Sequence, residues 1–203
     1  MTTPIRGLHL YANRWIGSGE PEVEEKHDMD LCFIDQIGNL NSVKTAIFSY
    51  MDQGANRALW LGNQRNKIQE IRQRPSLRGN TTFVFRCWPV YPSDFICDAN
   101  GNVTDWYGSG EEFARNLADA FDFIQHVENG DGTYGIPYAF MEVGNEPNVV
   151  TPDPNVEPFG GSSAHYNDFF RSFYWGERQV GVSYPLIYAG LSGEFNPNAV
   201  SHN

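Results

Sequence analysis

Short apolar runs of strand length alternate along this chain with segments of helical period, and that alternation restricts the fold more than any other feature of the sequence. Ile5 to Tyr11 alternates apolar residues with others and contains Leu8 and Leu10, which predicts a first strand. The acidic run Glu20 to Glu25 behind it reads as a solvated loop. Leu40, Val43, Ile47 and Met51 recur at helical spacing with Gly54 as a stop, predicting a first helix, and Arg57-Ala58-Leu59-Trp60-Leu61 predicts a second strand. Gln64 to Arg74 has helix-forming composition and ends at Pro75. Thr81 to Trp88 is rich in β-branched and aromatic residues and ends at Pro89, predicting a third strand. Ser109 with Glu112 has the pattern of a capping box ahead of Phe113, Leu117, Phe121, Ile124 and Val127, an amphipathic helix that stops at Gly130. Pro137 to Val143 predicts a fourth strand, Tyr166 to Val180 an aromatic helix, and Pro185 to Leu191 a fifth strand. Such alternation argues for a parallel sheet with right-handed crossovers, either an open doubly wound sheet or a closed barrel.

Composition narrows the function classes. The chain has 203 residues, enough for one well-buried domain, and its 14 Phe, 10 Tyr and 5 Trp are too many for a disordered chain. With 14 Lys and Arg against 25 Asp and Glu, the net charge is -11, so nucleic acid is excluded as a partner, since phosphate binding needs basic patches. Neutral carbohydrate is compatible with that charge, because sugars are held by hydrogen bonds and by stacking on aromatic faces. The N-terminus has no basic segment followed by an apolar run, and no stretch of about 18 apolar residues occurs. A soluble protein is therefore expected, cytoplasmic or part of a larger assembly, with no membrane partner. Cys32, Cys87 and Cys97 have no metal-type spacing, allow at most one disulfide, and read as buried or incidental thiols. No metal cluster and no cofactor motif are visible: neither G-x-G-x-x-G nor a phosphate loop follows the first strand, and a G-x-S-x-G elbow is lacking.

The chemistry concentrates after the fourth strand, in Tyr138-Ala139-Phe140-Met141-Glu142-Val143-Gly144-Asn145-Glu146-Pro147-Asn148. Active sites of parallel α/β folds gather at the carboxyl ends of strands. A carboxylic acid there, beside an amide and followed by proline, suits general acid/base work on a glycosidic oxygen. The segment resembles the strand-four signature of the clan of retaining glycoside hydrolases with (β/α)8 barrels, which includes cellulases, mannanases, xylosidases and heparanase-like enzymes. The resemblance rests on Asn145-Glu146-Pro147, extended by Glu142 and Asn148. It implies that Glu146 is the catalytic acid/base and that Asn145 hydrogen-bonds the sugar 2-hydroxyl. Glu142 lies on the same face of the strand and reads as a barrel-interior carboxylate. Trp88 past the third strand, His9 and Tyr11 at the end of the first, and Asn63 at the end of the second are candidates for the sugar pocket.

A retaining mechanism needs a second carboxylate about 5 to 5.5 Å from the first. The resemblance assigns that nucleophile to a seventh strand. The count here reaches five strands by Leu191, so residues 1–203 are expected to form one partial TIM-barrel domain, truncated after the fifth strand. Glu194 is the only carboxylate placed to reach the rim from that side, and it does not match the family nucleophile. Open barrel edges template aggregation unless covered, so a homo-oligomer or a partner chain is expected to cover them. Phe169, Phe170, Phe173, Tyr174 and Trp175 exceed what one buried helical stripe requires, which favours a partner surface. Two functions follow: a glycosidase cleaving an oligo- or polysaccharide, or a non-catalytic carbohydrate-binding or structural component of a larger assembly, such as a virion or surface complex, derived from one.

Overall fold

The structure, a computed structural model, describes residues 7–10, 21–48, 57–77, 81–89, 92–144 and 162–188, apart from the side chains of His9, Arg57, Trp60, Pro92, Phe123 and residues 45–48. Its elements run β1 (Gly7–His9), α1 (Pro21–Ile37), β2 (Ser42–Phe48), α2 (Arg57–Arg72), β3 (Thr82–Cys87), β4 (Ile96–Cys97), β5 (Val103–Asp105), α3 (Trp106–Asn116), α4 (Ala118–Gln125), β6 (Ala139–Val143), α5 (Ser163–Gln179) and β7 (Leu186–Tyr188). Five strands form one parallel sheet in the order β1-β2-β3-β6-β7, and β4 and β5 form a separate antiparallel pair. The sheet therefore advances by one neighbour at every crossover, without the reversal of direction that defines a doubly wound sheet.

By its internal contacts the chain divides into two compact units. The first holds the described residues up to Phe48, those of Asp52–Arg86, and Asp119–Met141. Here β1 pairs with β2 in the register Gly7–Ser42, Leu8–Val43, His9–Lys44. Thr82 N donates to Asn41 O at 2.9 Å and Phe83 N to Tyr138 O at 2.8 Å, which ties β3 to its neighbours. Phe83 and Phe85 are fully buried, as are Ile68 and Ile71 of α2 and Phe121 and Ile124 of α4. An ion pair and a hydrogen bond link α1 to α2: Lys67 Nζ lies 2.7 Å from Glu24, and buried His27 Nε2 lies 3.0 Å from Glu70.

The second unit holds Cys87–Ala118 and the described residues from Glu142 onward. Its centre is the pair α3 and α5, whose Phe113, Phe169 and Phe173 are fully buried with ring centroids 5.8 Å (113–169) and 6.0 Å (113–173) apart. Phe170 stacks on Tyr188 of β7 at 4.0 Å and 8°. Two buried glycines, Gly110 on α3 and Gly176 on α5, let the helices approach at backbone distance. A Cβ on Gly110 would overlap Phe169 O and Ser172 Oγ, and one on Gly176 would overlap Glu111 O and lie 2.9 Å from Ala114 Cβ.

The alternation of strands and helices holds, but its members differ from the sequence expectation in the first half. Residues 21–37 form a helix, not a solvated loop: Val23, His27, Asp30, Leu31 and Ile34 make its buried stripe. Two of those five are polar, which hid the period. The helix expected over Leu40 to Met51 is instead β2. Val43 and Ile47 fit both periods, while Val43-Lys44-Thr45-Ala46-Ile47 also carries the β-branched alternation of a strand. The strand expected at Arg57 to Leu61 is the opening of α2; Leu59 is 66% exposed there while Leu61, Gln64, Ile68 and Ile71 are buried at helical spacing. Asn63 consequently sits half-buried within a helix and not at a strand end.

The third strand, the fourth strand and the aromatic helix lie where the sequence puts them. The long amphipathic helix is two, α3 and α4, broken at Leu117, whose N–H donates to Ala114 O at 3.2 Å. Phe113, Leu117, Phe121, Ile124 and Val127 are all buried, so the apolar pattern carries on through the break. The N-cap of α3 is Asp105 and not Ser109. Asp105 Oδ1 accepts from Gly108 N at 2.8 Å, while buried Ser109 Oγ accepts from Ile96 N at 2.8 Å. Replacing Asp105 with Ala is expected to cost about 1 kcal/mol in urea unfolding. Replacing it with Asn should recover most of that loss.

Candidate active site

Glu146 and Asn145 lie outside the described residues, as do Tyr11 and the side chain of His9. What the structure shows is the platform from which they depart. β6 ends at Val143, and Gly144 follows with φ +92°, in the left-handed region that side chains rarely adopt, so the chain turns sharply before Asn145. Gly144 N donates to Cys87 O at 2.7 Å, which ties the end of β6 to the end of β3. Buried Tyr166 on α5 donates its hydroxyl to Val143 O at 2.6 Å. The carboxyl end of β6 is thus held by a backbone bond on one side and a phenol on the other.

The helix that supplies Tyr166 is fixed at its start by a capping box: Ser162 Oγ accepts from His165 N at 3.3 Å, and Ser162 N donates to His165 Nδ1 at 3.2 Å. The His165 ring then stacks on Trp106 at 5.0 Å and 9°, and Trp106 meets Phe95 edge-on at 5.6 Å. Trp106 opens α3 and has one face occupied by His165. Tyr107 beside it is exposed.

Below the end of β6 lies a buried acidic cluster. Glu142 is 3% exposed on β6, Glu177 is fully buried on α5, and Cys87 is fully buried at the end of β3. Glu177 Oε1 accepts from the backbone N–H of Tyr184, and its Oε2 has no hydrogen-bond partner among the described residues. Burial pushes the Glu177 carboxyl up to about 7, against the opposing pull of the Tyr184 N–H and of Arg178. The Cys87 thiol is raised well above its usual range by burial first, then by Glu177 and Glu142. Burial and the neighbouring carboxyls thus disfavour the thiolate, the form in which a cysteine attacks. Cys32, Cys87 and Cys97 are all free.

Of the residues singled out from the sequence, Glu142 is therefore a buried strand carboxylate at the base of the platform, and Trp88 is half-buried directly after β3. Asn63 on α2 belongs to a different element from the one expected. Sequence reasoning missed Glu177. The signal was available: Phe169, Phe173 and Glu177 follow one another at four-residue spacing, so the stripe that buries the two rings also buries the carboxyl. Among the described residues, no three His, Cys, Asp or Glu side chains are grouped to hold a metal ion, and no helix is long and apolar enough to cross a membrane. Comparison with protein-family models, curated proteins and solved structures gives no match, so the residues themselves carry the functional reading.

Proposed function

We propose that this chain carries the acid/base portion of a retaining glycoside hydrolase on a (β/α)8-barrel plan, acting on the O-glycosidic bonds of an oligo- or polysaccharide. The observation that supports it most is the strand order. Five parallel strands follow one another in chain order without reversal, and Asn145-Glu146-Pro147 comes directly after the carboxyl end of the fourth of them, β6. Sheets wound in one direction are the ones that close into (β/α)8 barrels, whose active sites use the carboxyl ends of the strands. The bond from Gly144 N to Cys87 O fixes the end of β6, and Asn145-Glu146-Pro147 comes next in the sequence.

In this reading Glu146 protonates the leaving glycosidic oxygen and later takes a proton from the attacking water. Asn145 orients the sugar through its 2-hydroxyl. Trp88, beside the end of β3, offers a ring for stacking against a sugar face. The nucleophilic carboxylate belongs to a strand beyond β7 in the barrel plan.

The test is hydrolysis of a panel of aryl glycosides and polysaccharides by the wild-type chain and by Glu146→Gln. Where the strand that carries the nucleophile is supplied, turnover that Glu146→Gln strongly reduces, most for substrates with poor leaving groups, with binding of the same sugar retained, is the expected result. Sugar binding by both chains with turnover by neither would replace the enzyme with a binding module. Turnover that survives undiminished in Glu146→Gln would remove Glu146 from the chemistry.

A further inference from the structure

We propose that copies of this chain associate head to tail, the exposed face of α1 on one copy docking against the exposed face of α5 on the next. The α1 face is an apolar stripe in an acidic setting. Met29, Phe33 and Ile37 are 51%, 47% and 51% exposed, at four-residue spacing, so they line up over about 12 Å of one helical face. Exposed Glu25 and Asp28 flank the stripe.

The α5 face is aromatic and cationic. Tyr174 and Trp175 are 38% and 53% exposed and meet edge-on at 5.1 Å. Arg171 is exposed one turn before them, and the Arg178 guanidinium lies 3.2 Å over the Tyr174 ring. From Arg171 to Arg178 this face runs about 10 Å, close to the length of the α1 stripe.

The two faces match in length, in apolar content and in opposite charge. That complementarity points to a second copy as the occupant, because every copy carries both halves of it. The net charge of -11 sharpens the choice. Two such chains repel through most of their surfaces, and the Arg171/Arg178 face is a place where the sign is locally reversed. A contact between different faces of identical chains is heterologous, so it leaves one α1 face and one α5 face open for further copies. This inference is independent of the glycosidase reading.

Light scattering over a concentration series tests it. Wild-type protein is expected to rise above the 23.0 kDa monomer with concentration. Phe33→Glu and Trp175→Glu should each remain at monomer mass. Mixing these two variants in equal amounts should restore association but stop at twice the monomer mass, since only one competent α1 face and one competent α5 face remain per pair. A wild-type mass that stays monomeric at every concentration overturns the proposal, and so does a mixture that fails to pair. Loss of association in Trp175→Glu with none in Phe33→Glu overturns it in favour of an α5-to-α5 contact. Matching thermal transitions of the three proteins establish that the surface variants are folded.

Discussion

Gly110→Ala is expected to destabilise the second unit by about 3 kcal/mol, the upper end of what overpacking by one methyl group costs. Elsewhere in a helix the same exchange helps, because Gly is the poorer helix former by up to about 1 kcal/mol. At Gly110 the added carbon would fall on the Phe169 carbonyl oxygen and the Ser172 hydroxyl, and within 2.9 Å of the Phe169 carbonyl carbon. Two of these three atoms are backbone and cannot rotate away. The helices must separate, and the Phe113–Phe169–Phe173 packing opens with them. Gly176→Ala, whose carbon meets Glu111 O from the other side, should cost a similar amount. Gly62 on α2 is the control: nothing lies within 4 Å of its added carbon, so Gly62→Ala should be neutral or stabilising. Urea unfolding followed by near-ultraviolet dichroism reads all three. A Gly110→Ala midpoint equal to wild type would mean that α3 and α5 do not meet at backbone distance.

Stability is also expected to fall as pH rises from about 4.5 to about 7, and Glu177 is the cause. Its carboxyl has an ordinary value of 4.5 in the unfolded chain and about 7 in the folded one. A raised folded value means that the folded state holds the proton more tightly. The contribution is therefore fully present below 4.5 and is lost as pH rises through 7. Integrated over that window the loss is about 3 kcal/mol. Burial wins over the two groups that favour the charged form, the Tyr184 N–H and Arg178, because the side chain is fully buried. Glu177→Gln keeps an acceptor for the Tyr184 N–H and removes the titration. Its unfolding free energy should lose this part of the pH dependence, whatever offset the buried amide adds. Wild-type and variant curves that run parallel between pH 4.5 and 7 would show that Glu177 ionises normally.

How much of this was legible in the sequence depended on whether a buried stripe was apolar throughout. β3 and β6 announce themselves because Phe83, Phe85, Met141 and Val143 leave no other reading, and the aromatic face of α5 does the same. α1 was opaque because His27 and Asp30 occupy buried positions, and its exposed side carries Met29, Phe33 and Ile37, so polarity there is a poor guide to burial. The consequence carries along the chain: with the acidic run Glu20 to Glu25 read as loop, the alternation places the next helix on β2 and the next strand on the start of α2, and so puts Asn63 at a strand end. The site shows the same division. Local sequence marked the segment after β6 as the place for chemistry. Nothing local could bring Cys87, Glu142 and Glu177 into one cluster, because three separate elements supply them. Ser109 does not cap because its hydroxyl is engaged elsewhere, accepting from Ile96 N and donating to Asp105 O, while Asp105 Oδ1 accepts the Gly108 N–H that starts the helix.

The unreversed strand order has a consequence for how the chain is made. Each new strand of the main sheet joins the one completed just before it, so none has to wait for a partner from later in the sequence. Each pairing still spans a whole crossover, from about 35 residues between Gly7 and Ser42 to about 55 between Phe83 and Tyr138, so every step is slow for its size even though the order is fixed. Synthesis from the amino terminus could therefore build the sheet one β/α step at a time, with the growing edge always the newest strand. Each step covers the edge left by the one before it, while the outer edge of β1 gains no strand of the main sheet.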